Sequence, residues 1–372
     1  MRFADIRLVV GTRPEAIKLS PVAHALAAHG HEPRLIFTGQ HPLDPWEFGL
    51  GAFAIERLKC PGEENPHAHV HKVAAAIGPR LATGVELLVV QGDTSSALGA
   101  SLAAFRAGVP LAHVEAGLRT HDLALPWPEE EYRTAIDGGA QLLFAPTELS
   151  ARNLAAEGVG GEVHVTGNPG IDAVFAEEAR LPPRSLRENG RRVLVTCHRR
   201  ESWGEGLRSI SAALAEIARS GRARIDVVLP PNGFIAQRMR TLLEGHLGVT
   251  LVGPLTHREL VERMLDCDLV LSDSGGIQEE APTLGVPLLV LRDKTERPEG
   301  LADGSALLVG TSAERIVAQT FRLLDDPVAL AAMSRRSFPY GDGHAAERIA
   351  TIIGEWVEQS AAAWSAARTG RI

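Results

Sequence analysis

Short apolar runs and Ala/Leu-rich helical stretches alternate along the chain, and they do so in two separate series. In the first, IRLVV (6–10), RLIFTG (34–39), ELLVVQG (86–92), PLAHVEA (110–116) and LLFAP (142–146) read as buried parallel strands, with helical spacing over 14–28 and 95–107. In the second, RRVLVTC (191–197), IDVVLP (225–230), VTLVG (249–253), LVLSD (269–273) and PLLVL (287–291) repeat the pattern. Alternation of this kind builds βαβ units around a parallel sheet. A Pro- and charge-rich stretch, ARLPPRSLRENGRR (179–192), lies between the series and suits a surface connection. The expected fold is α/β, with two doubly wound domains that change over near 168–190. Ligands in such sheets bind beyond the carboxyl ends of the strands, so a cleft between the domains is the expected site.

Composition narrows the function. A formal charge of -8 argues against a general nucleic-acid binder, which needs a basic face to neutralise phosphates. A small phosphorylated ligand needs only a few local donors and stays open. Hydrophobic content of 45% with 23% charged residues is that of a soluble globular protein. Cys60, Cys197 and Cys267 are far apart and form no C-x-x-C pair, which points to a reduced compartment. The first residues run straight into a strand pattern without signal-peptide features, and no stretch approaches the ~20 apolar residues of a membrane span. A cytoplasmic protein with no membrane partner is expected.

The residues just after strands carry the chemistry. In GTRPEAIK (11–18), Thr12, Pro14 and Glu15 fit a capped helix start, which leaves Arg13 and Lys18 as phosphate candidates. Asp93 follows a strand in VVQGDTSS and, taken alone, reads as a turn or capping residue. Glu115 ends the next strand in LAHVEAGLRT and is harder to explain structurally. PWPEEEYRTAID (126–137) adds Glu129, Glu130, Glu131 and Arg133. Macrodipole pairing at a helix start accounts for one or two of these glutamates, less well for all three. The second series carries the opposite charge: His198, Arg199 and Arg200 follow one strand, and Arg292, Thr295, Glu296 and Arg297 follow another. Between them, Ser274, Gly275 and Gly276 in SDSGGIQEEAPTLG (272–285) would aim backbone N–H groups at an anion from a helix start. Glu280 lies about one turn further along, at ~1.5 Å per residue, where it suits a neutral hydroxyl acceptor role. Gln278 and Glu279 are expected to finish the helix surface. His67, His69 and His71 alternate, a spacing that shares one face only on a strand; their segment reads as a helix start, so no metal site is expected.

These motifs, in this order, resemble the non-hydrolysing UDP-N-acetylglucosamine 2-epimerases. The likeness runs from GTRPEAIKLSPV through VQGDTSS, HVEAGLRT, PWPEEEYR, FAPT, VTGN and HRRESWG to DSGGIQEEAP, RDKTERPEG and PYGDG. It implies two Rossmann-like domains of the glycosyltransferase-B type, residues 1–168 and 169–343, with a C-terminal helix near 344–365 packed back on the first. It further implies that Arg13 contacts a diphosphate with support from Lys18, and that His198 and the Ser274–Gly276 turn bind it. Glu280 would take the ribose hydroxyls, and Asp93, Glu115 and Glu129 would handle protons, assisted by Arg133. No metal or nicotinamide cofactor is implied, and a homodimer is.

The implied reaction removes UDP from C1 as the C2 proton leaves, and re-adds UDP after protonation on the other face. A hydrolysing relative, an epimerase for a modified UDP-HexNAc, a glycosyltransferase of the same fold and a silent nucleotide-sugar binder remain alternatives. The chain departs from the family at Tyr132, where Asn is usual. It also departs at Pro42 and Leu43 after GQH, and in LPPNG (229–233), which lacks a His. In many bacterial members those last two regions bind a second, activating substrate molecule, so that activation is expected to be absent or altered.

Overall fold

A computed structural model describes residues 4–82, 84–182, 190–197, 199 and 203–369, with side chains described to residue 360. Its contacts divide the chain into two units, one of Met1–Ala173 with Tyr340–Ile372 and the other of Val174–Pro339.

The first unit contains β1 (Ile6–Val10), β2 (Arg34–Phe37), β3 (Ala54–Arg57), β4 (Leu87–Gln91), β5 (Leu111–Val114), β6 (Leu142–Ala145) and β7 (Glu162–Val165). They form one parallel sheet in the order β3-β2-β1-β4-β5-β6-β7. The connections include α1 (Arg13–Ala28), α2 (Pro66–Ile77), α3 (Ser95–Ala107), α4 (Glu129–Gly139) and α5 (Glu148–Glu157), and α6 (Pro169–Glu178) follows β7. Successive strand residues point to opposite faces, so each strand feeds two cores. Leu88 and Val90 of β4 pack with α2 and α3, whereas Leu87 and Val89 pack with α1. The two strands that carry no apolar run, AIER in β3 and EVHV in β7, are the sheet edges and are largely exposed.

The second unit contains β8 (Arg191–Thr196), β9 (Ala223–Val228), β10 (Val249–Val252), β11 (Leu269–Ser272), β12 (Leu288–Val290) and β13 (Ala306–Leu308). Its parallel order is β10-β9-β8-β11-β12-β13. The helices are α7 (Glu205–Arg219), α8 (Gly233–Leu243), α9 (His257–Leu265), α10 (Gly275–Leu284), α11 (Glu299–Ala302), α12 (Ala313–Asp325) and α13 (Pro327–Met333).

The chain then returns to the first unit as α14 (Ala345–Thr369). Ala346, Ile349, Ala350, Ile353 and Val357 recur at helical spacing and join the core around Leu19, Val22 and Leu26 of α1. Asp172 of α6 caps this helix, accepting from the backbone N–H groups of Ala345 (3.2 Å) and Ala346 (2.9 Å). Among the described residues, no helix is long and apolar enough to cross a membrane.

Each sheet reverses its winding once, between β1 and β4 in the first unit and between β8 and β11 in the second. Ligands of doubly wound sheets bind at that reversal, beyond the carboxyl ends of the strands. The turns there are Gly11–Arg13 and Gly92–Thr94 in one unit, and Cys197–Arg199 and Asp273–Gly276 in the other.

Candidate active site

In the first unit the carboxylates are set by strand register. β4 and β5 pair with Gln91 opposite Val114, so the turns after both strands emerge side by side. Glu115 is the first residue beyond β5 and has φ 71°, the left-handed region that a non-glycine residue occupies at a cost of about 1–3 kcal/mol. Its side chain is buried and Oε1 accepts from Lys18 Nζ at 2.6 Å and from Asn168 Nδ2 at 3.1 Å. Oε2 accepts from Gln91 Nε2. The Asn168 amide is itself oriented, because Gly170 N–H donates to its Oδ1 at 3.0 Å. Lys18, a phosphate candidate from the motif, is thus paired with a carboxylate in the structure.

Asp93 lies beyond β4 and is partly exposed. Its Oδ2 accepts from Arg133 Nε at 3.0 Å and also from Arg133 Nη2. Arg133 reaches back along α4 to Glu130, with Nη1 at 3.1 Å from Oε2. Glu130 also accepts from the backbone of Thr120 (3.0 Å) and His121 (2.8 Å), so this glutamate organises the 118–121 turn. Glu129 opens the same helix, one turn before Arg133. Glu130 is thus buried and bonded, whereas Glu129 is half-buried and Glu131 exposed, so macrodipole pairing alone does not describe Glu130.

Arg13 is the first residue of α1, whose start is tied to the next turn by Glu15. Glu15 Oε2 accepts from Gly11 N–H (2.9 Å) and Thr12 N–H (2.5 Å), and Oε1 accepts from Thr94 Oγ1 (2.7 Å), the neighbour of Asp93. Burial raises the Glu15 carboxyl from its ordinary 4.5 to about 7, against the opposing effect of these hydrogen bonds. His67, His69 and His71 fall on α2, where alternate positions diverge: His69 is buried, His71 is exposed and His67 packs edge-on against Tyr132 and Trp127.

In the second unit Ser274 immediately precedes α10, without a side-chain capping hydrogen bond, and Gly275 is the first residue of the helix. A Cβ on Gly275 would stand 2.7 Å from Arg297 Nη1 and 3.3 Å from Arg199 Nη2, so glycine is what lets two guanidinium groups approach the helix start. Backbone N–H groups at a helix start and adjacent arginines make an anion site. Glu280 lies further along α10 with Oε1 3.3 Å from His257 Nε2.

The expectation that Gln278 and Glu279 finish the helix surface is wrong. Both are buried: Gln278 Oε1 accepts from Thr295 Oγ1 at 2.5 Å, and Glu279 Oε1 accepts from Arg297 Nε at 2.5 Å. Arg297 also pairs with Glu296, which holds Arg292 at 2.9 Å. These acids orient the arginines that the sequence singles out, across 18 residues of chain in the case of Glu279. Asp273 was likewise missed; its Oδ2 accepts from Arg199 N–H at 2.9 Å. His198 and Arg200 lie outside the described residues.

Two doubly wound parallel sheets, with carboxylates beyond the strands of one and a helix start flanked by arginines in the other, define an α/β protein of the glycosyltransferase-B type. The family model described as UDP-N-acetylglucosamine 2-epimerase matches residues 24–354. The UDP-N-acetylglucosamine 2-epimerase of Yersinia pestis is 42% identical over 362 residues, covering 92% of this chain and 96% of that one. Among solved structures, the Neisseria meningitidis UDP-GlcNAc 2-epimerase bound to UDP-GlcNAc superposes with a TM-score of 0.88 at 34% identity, over 94% of this chain and 100% of that one. The Methanocaldococcus jannaschii enzyme in complex with UDP-GlcNAc and UDP gives 0.83 at 30% identity, over 94% and 99%. The chain belongs to the UDP-N-acetylglucosamine 2-epimerase family.

Proposed function

We propose that the protein interconverts UDP-N-acetylglucosamine and UDP-N-acetylmannosamine by elimination and re-addition of UDP, without net hydrolysis. The observation that carries the reading is Glu115: a carboxylate on strained backbone, buried, and held by Lys18, Gln91 and Asn168. Strain kept in place by three side-chain donors is a feature of functional sites. Full-length likeness to enzymes named UDP-N-acetylglucosamine 2-epimerase supports the substrate.

The hydrogen on sugar C2 has no adjacent carbonyl and is not acidic. Its removal becomes feasible when the C1–oxygen bond to the diphosphate breaks at the same stage. The C2–H electrons then form a C1–C2 double bond, the proton passes to a carboxylate, and UDP carries away the C1–oxygen electron pair. Adding UDP back to the 2-acetamidoglucal, with a proton delivered to the opposite face of C2, gives the epimer. Asp93, Glu115 and Glu129 are the proton-transfer groups of this scheme, and Arg133 fixes Asp93. The α10 start, Arg13 and His198 bind the departing diphosphate, and Glu280 takes the ribose hydroxyls.

Incubation with UDP-GlcNAc in D2O, followed by NMR, tests this. UDP-ManNAc carrying deuterium at C2 is expected. Free ManNAc with UDP would identify a hydrolase, and epimerisation without deuterium at C2 would remove the proton-transfer scheme.

A further inference from the structure

Beyond the residues that face substrate in this scheme, one buried cluster reaches every element that bears a proposed proton-transfer group. His113 lies on β5 and Asp137 on α4, and both are fully buried. His113 Nδ1 is 2.6 Å from Asp137 Oδ1, and its Nε2 is 2.8 Å from the carbonyl oxygen of Gly92, the residue before Asp93. Both ring nitrogens thus lie within hydrogen-bond reach of oxygen atoms. Asp137 Oδ2 accepts from Gly117 N–H at 3.1 Å, two residues after Glu115, and lies 2.8 Å from Arg119 Nη2. Arg119 is anchored in turn on Glu157, with contacts of 2.7 and 2.6 Å. Burial pushes the Asp137 carboxyl up, but His113 and Arg119 outweigh it and hold the group below its ordinary value.

In the turns so held, two glycines take the left-handed backbone freely, and Glu115 takes it at a cost. Gly92, Glu115 and Gly117 all have positive φ, at 68°, 71° and 81°. Gly117 also has no room for a side chain, since a Cβ there would meet the Ser150 carbonyl oxygen at 2.3 Å. On α4, Glu129, Arg133 and Asp137 follow at intervals of four and share one face. Fixing Asp137 against β5 therefore sets the position of Glu129 and Arg133 as well.

We propose that His113 and Asp137 are positioning residues that lock the Asp93 turn, the Glu115 turn and α4 into one catalytic register. They touch none of the reacting atoms in this scheme and act through the backbone of Gly92 and Gly117. The proposal rests on the epimerase reading. Misplacing catalytic groups by a fraction of their bond lengths to substrate costs turnover rather than nucleotide affinity, because the nucleotide is gripped by other residues.

The test compares wild type with Asp137→Asn, which keeps the side-chain shape, and His113→Phe, which keeps most of the ring volume. For both, kcat for UDP-GlcNAc epimerisation should fall about 10- to 100-fold, with C2 deuterium exchange falling in step. KM, and UDP affinity by calorimetry, should stay within about twofold of wild type, the pattern of lost transition-state alignment. Losses in KM and UDP affinity that match the loss in kcat would overturn the assignment, as would unchanged kcat in folded variants. Failure of both variants to fold would make the cluster a folding element and overturn it equally. Wild type that neither epimerises nor exchanges would instead sink the functional reading, so the two failures are distinct.

Discussion

The two sheet reversals are built alike and furnished differently. In the first unit, acids stand beyond β4 and β5, each held by a base or amide brought from elsewhere: Glu115 by Lys18, Gln91 and Asn168, and Asp93 by Arg133. In the second unit the order is inverted. Arginines approach the start of α10, and the acids Glu279 and Glu296 stand behind to hold them. In both, the charge beyond the strand end is oriented by an opposite charge. A buried ion pair of this kind adds little net stability, but removing one partner strands the other at several kcal/mol. On the proposed reading, the difference teaches that one scaffold would serve proton transfer or phosphate binding according to which member of the pair stands forward.

The largest effect should come from Glu115→Gln. If the first unit carries the proton chemistry, kcat should fall by about 10²- to 10⁴-fold while UDP affinity survives. Loss of UDP binding instead, in a calorimetric titration, would make Glu115 structural and dissolve the contrast between the units.

Glu15→Gln probes the same unit through pH. In the folded protein the carboxyl titrates at about 7 rather than 4.5. Between those values the folded state keeps a proton that the unfolded chain has released. The stability contributed by this protonated group is therefore complete below about pH 4.5 and is lost as pH rises through about 7. The variant does not titrate there. Its stability relative to wild type should improve across that window, by on the order of 3 kcal/mol at ~1.4 kcal/mol per pKa unit. Thermal midpoints at several pH values measure it, and a pH-independent difference would show that Glu15 is an ordinary capping residue.

Much of this contrast was legible in the chain. The ten apolar runs all became strands, and most turns flagged for chemistry lie beyond strand ends, at the two reversals or after β5 and β12. Three strands were not legible. β3 and β7 are exposed edges without an apolar run, and β13 is a three-residue edge strand of which only Ala306 is fully buried. Partners were the other blind spot. Lys18 and Glu115 are 97 residues apart in the chain, and Asp137 reaches His113 from a different element. Sequence spacing reveals neighbours on one helix, not ion pairs made across a sheet. That is why Glu279 was placed on a surface, although Arg297 covers it.

A smaller effect tests the second unit. Replacing Glu280 by Gln should weaken UDP binding by about tenfold, about 1.4 kcal/mol, as one strong acceptor for a hydroxyl becomes a weaker one. Turnover at saturating substrate should change little. A fall in kcat with unchanged UDP affinity would assign Glu280 to the chemistry and blur the division.

The subtlest test asks whether the first unit holds a second nucleotide, apart from the one whose diphosphate Arg13 is proposed to meet, as a regulatory site would require. The loop after β2 borders a cavity of about 650 Å³, whose wall includes Phe37, Pro42, Leu43, Leu58 and Pro61. His41 lies there too, but burial holds its ring below the ordinary value, so it brings no charge at neutral pH. Arg57 is the cation of this wall, with Asp44 on the same wall to offset it. A diphosphate is held by several charge-assisted donors, and such a wall provides few. Initial rates should therefore rise hyperbolically with UDP-GlcNAc, with no lag relieved by added nucleotide. A sigmoidal curve would place a second nucleotide site in the unit assigned to proton transfer, and the separation of roles between the two sheets would no longer hold.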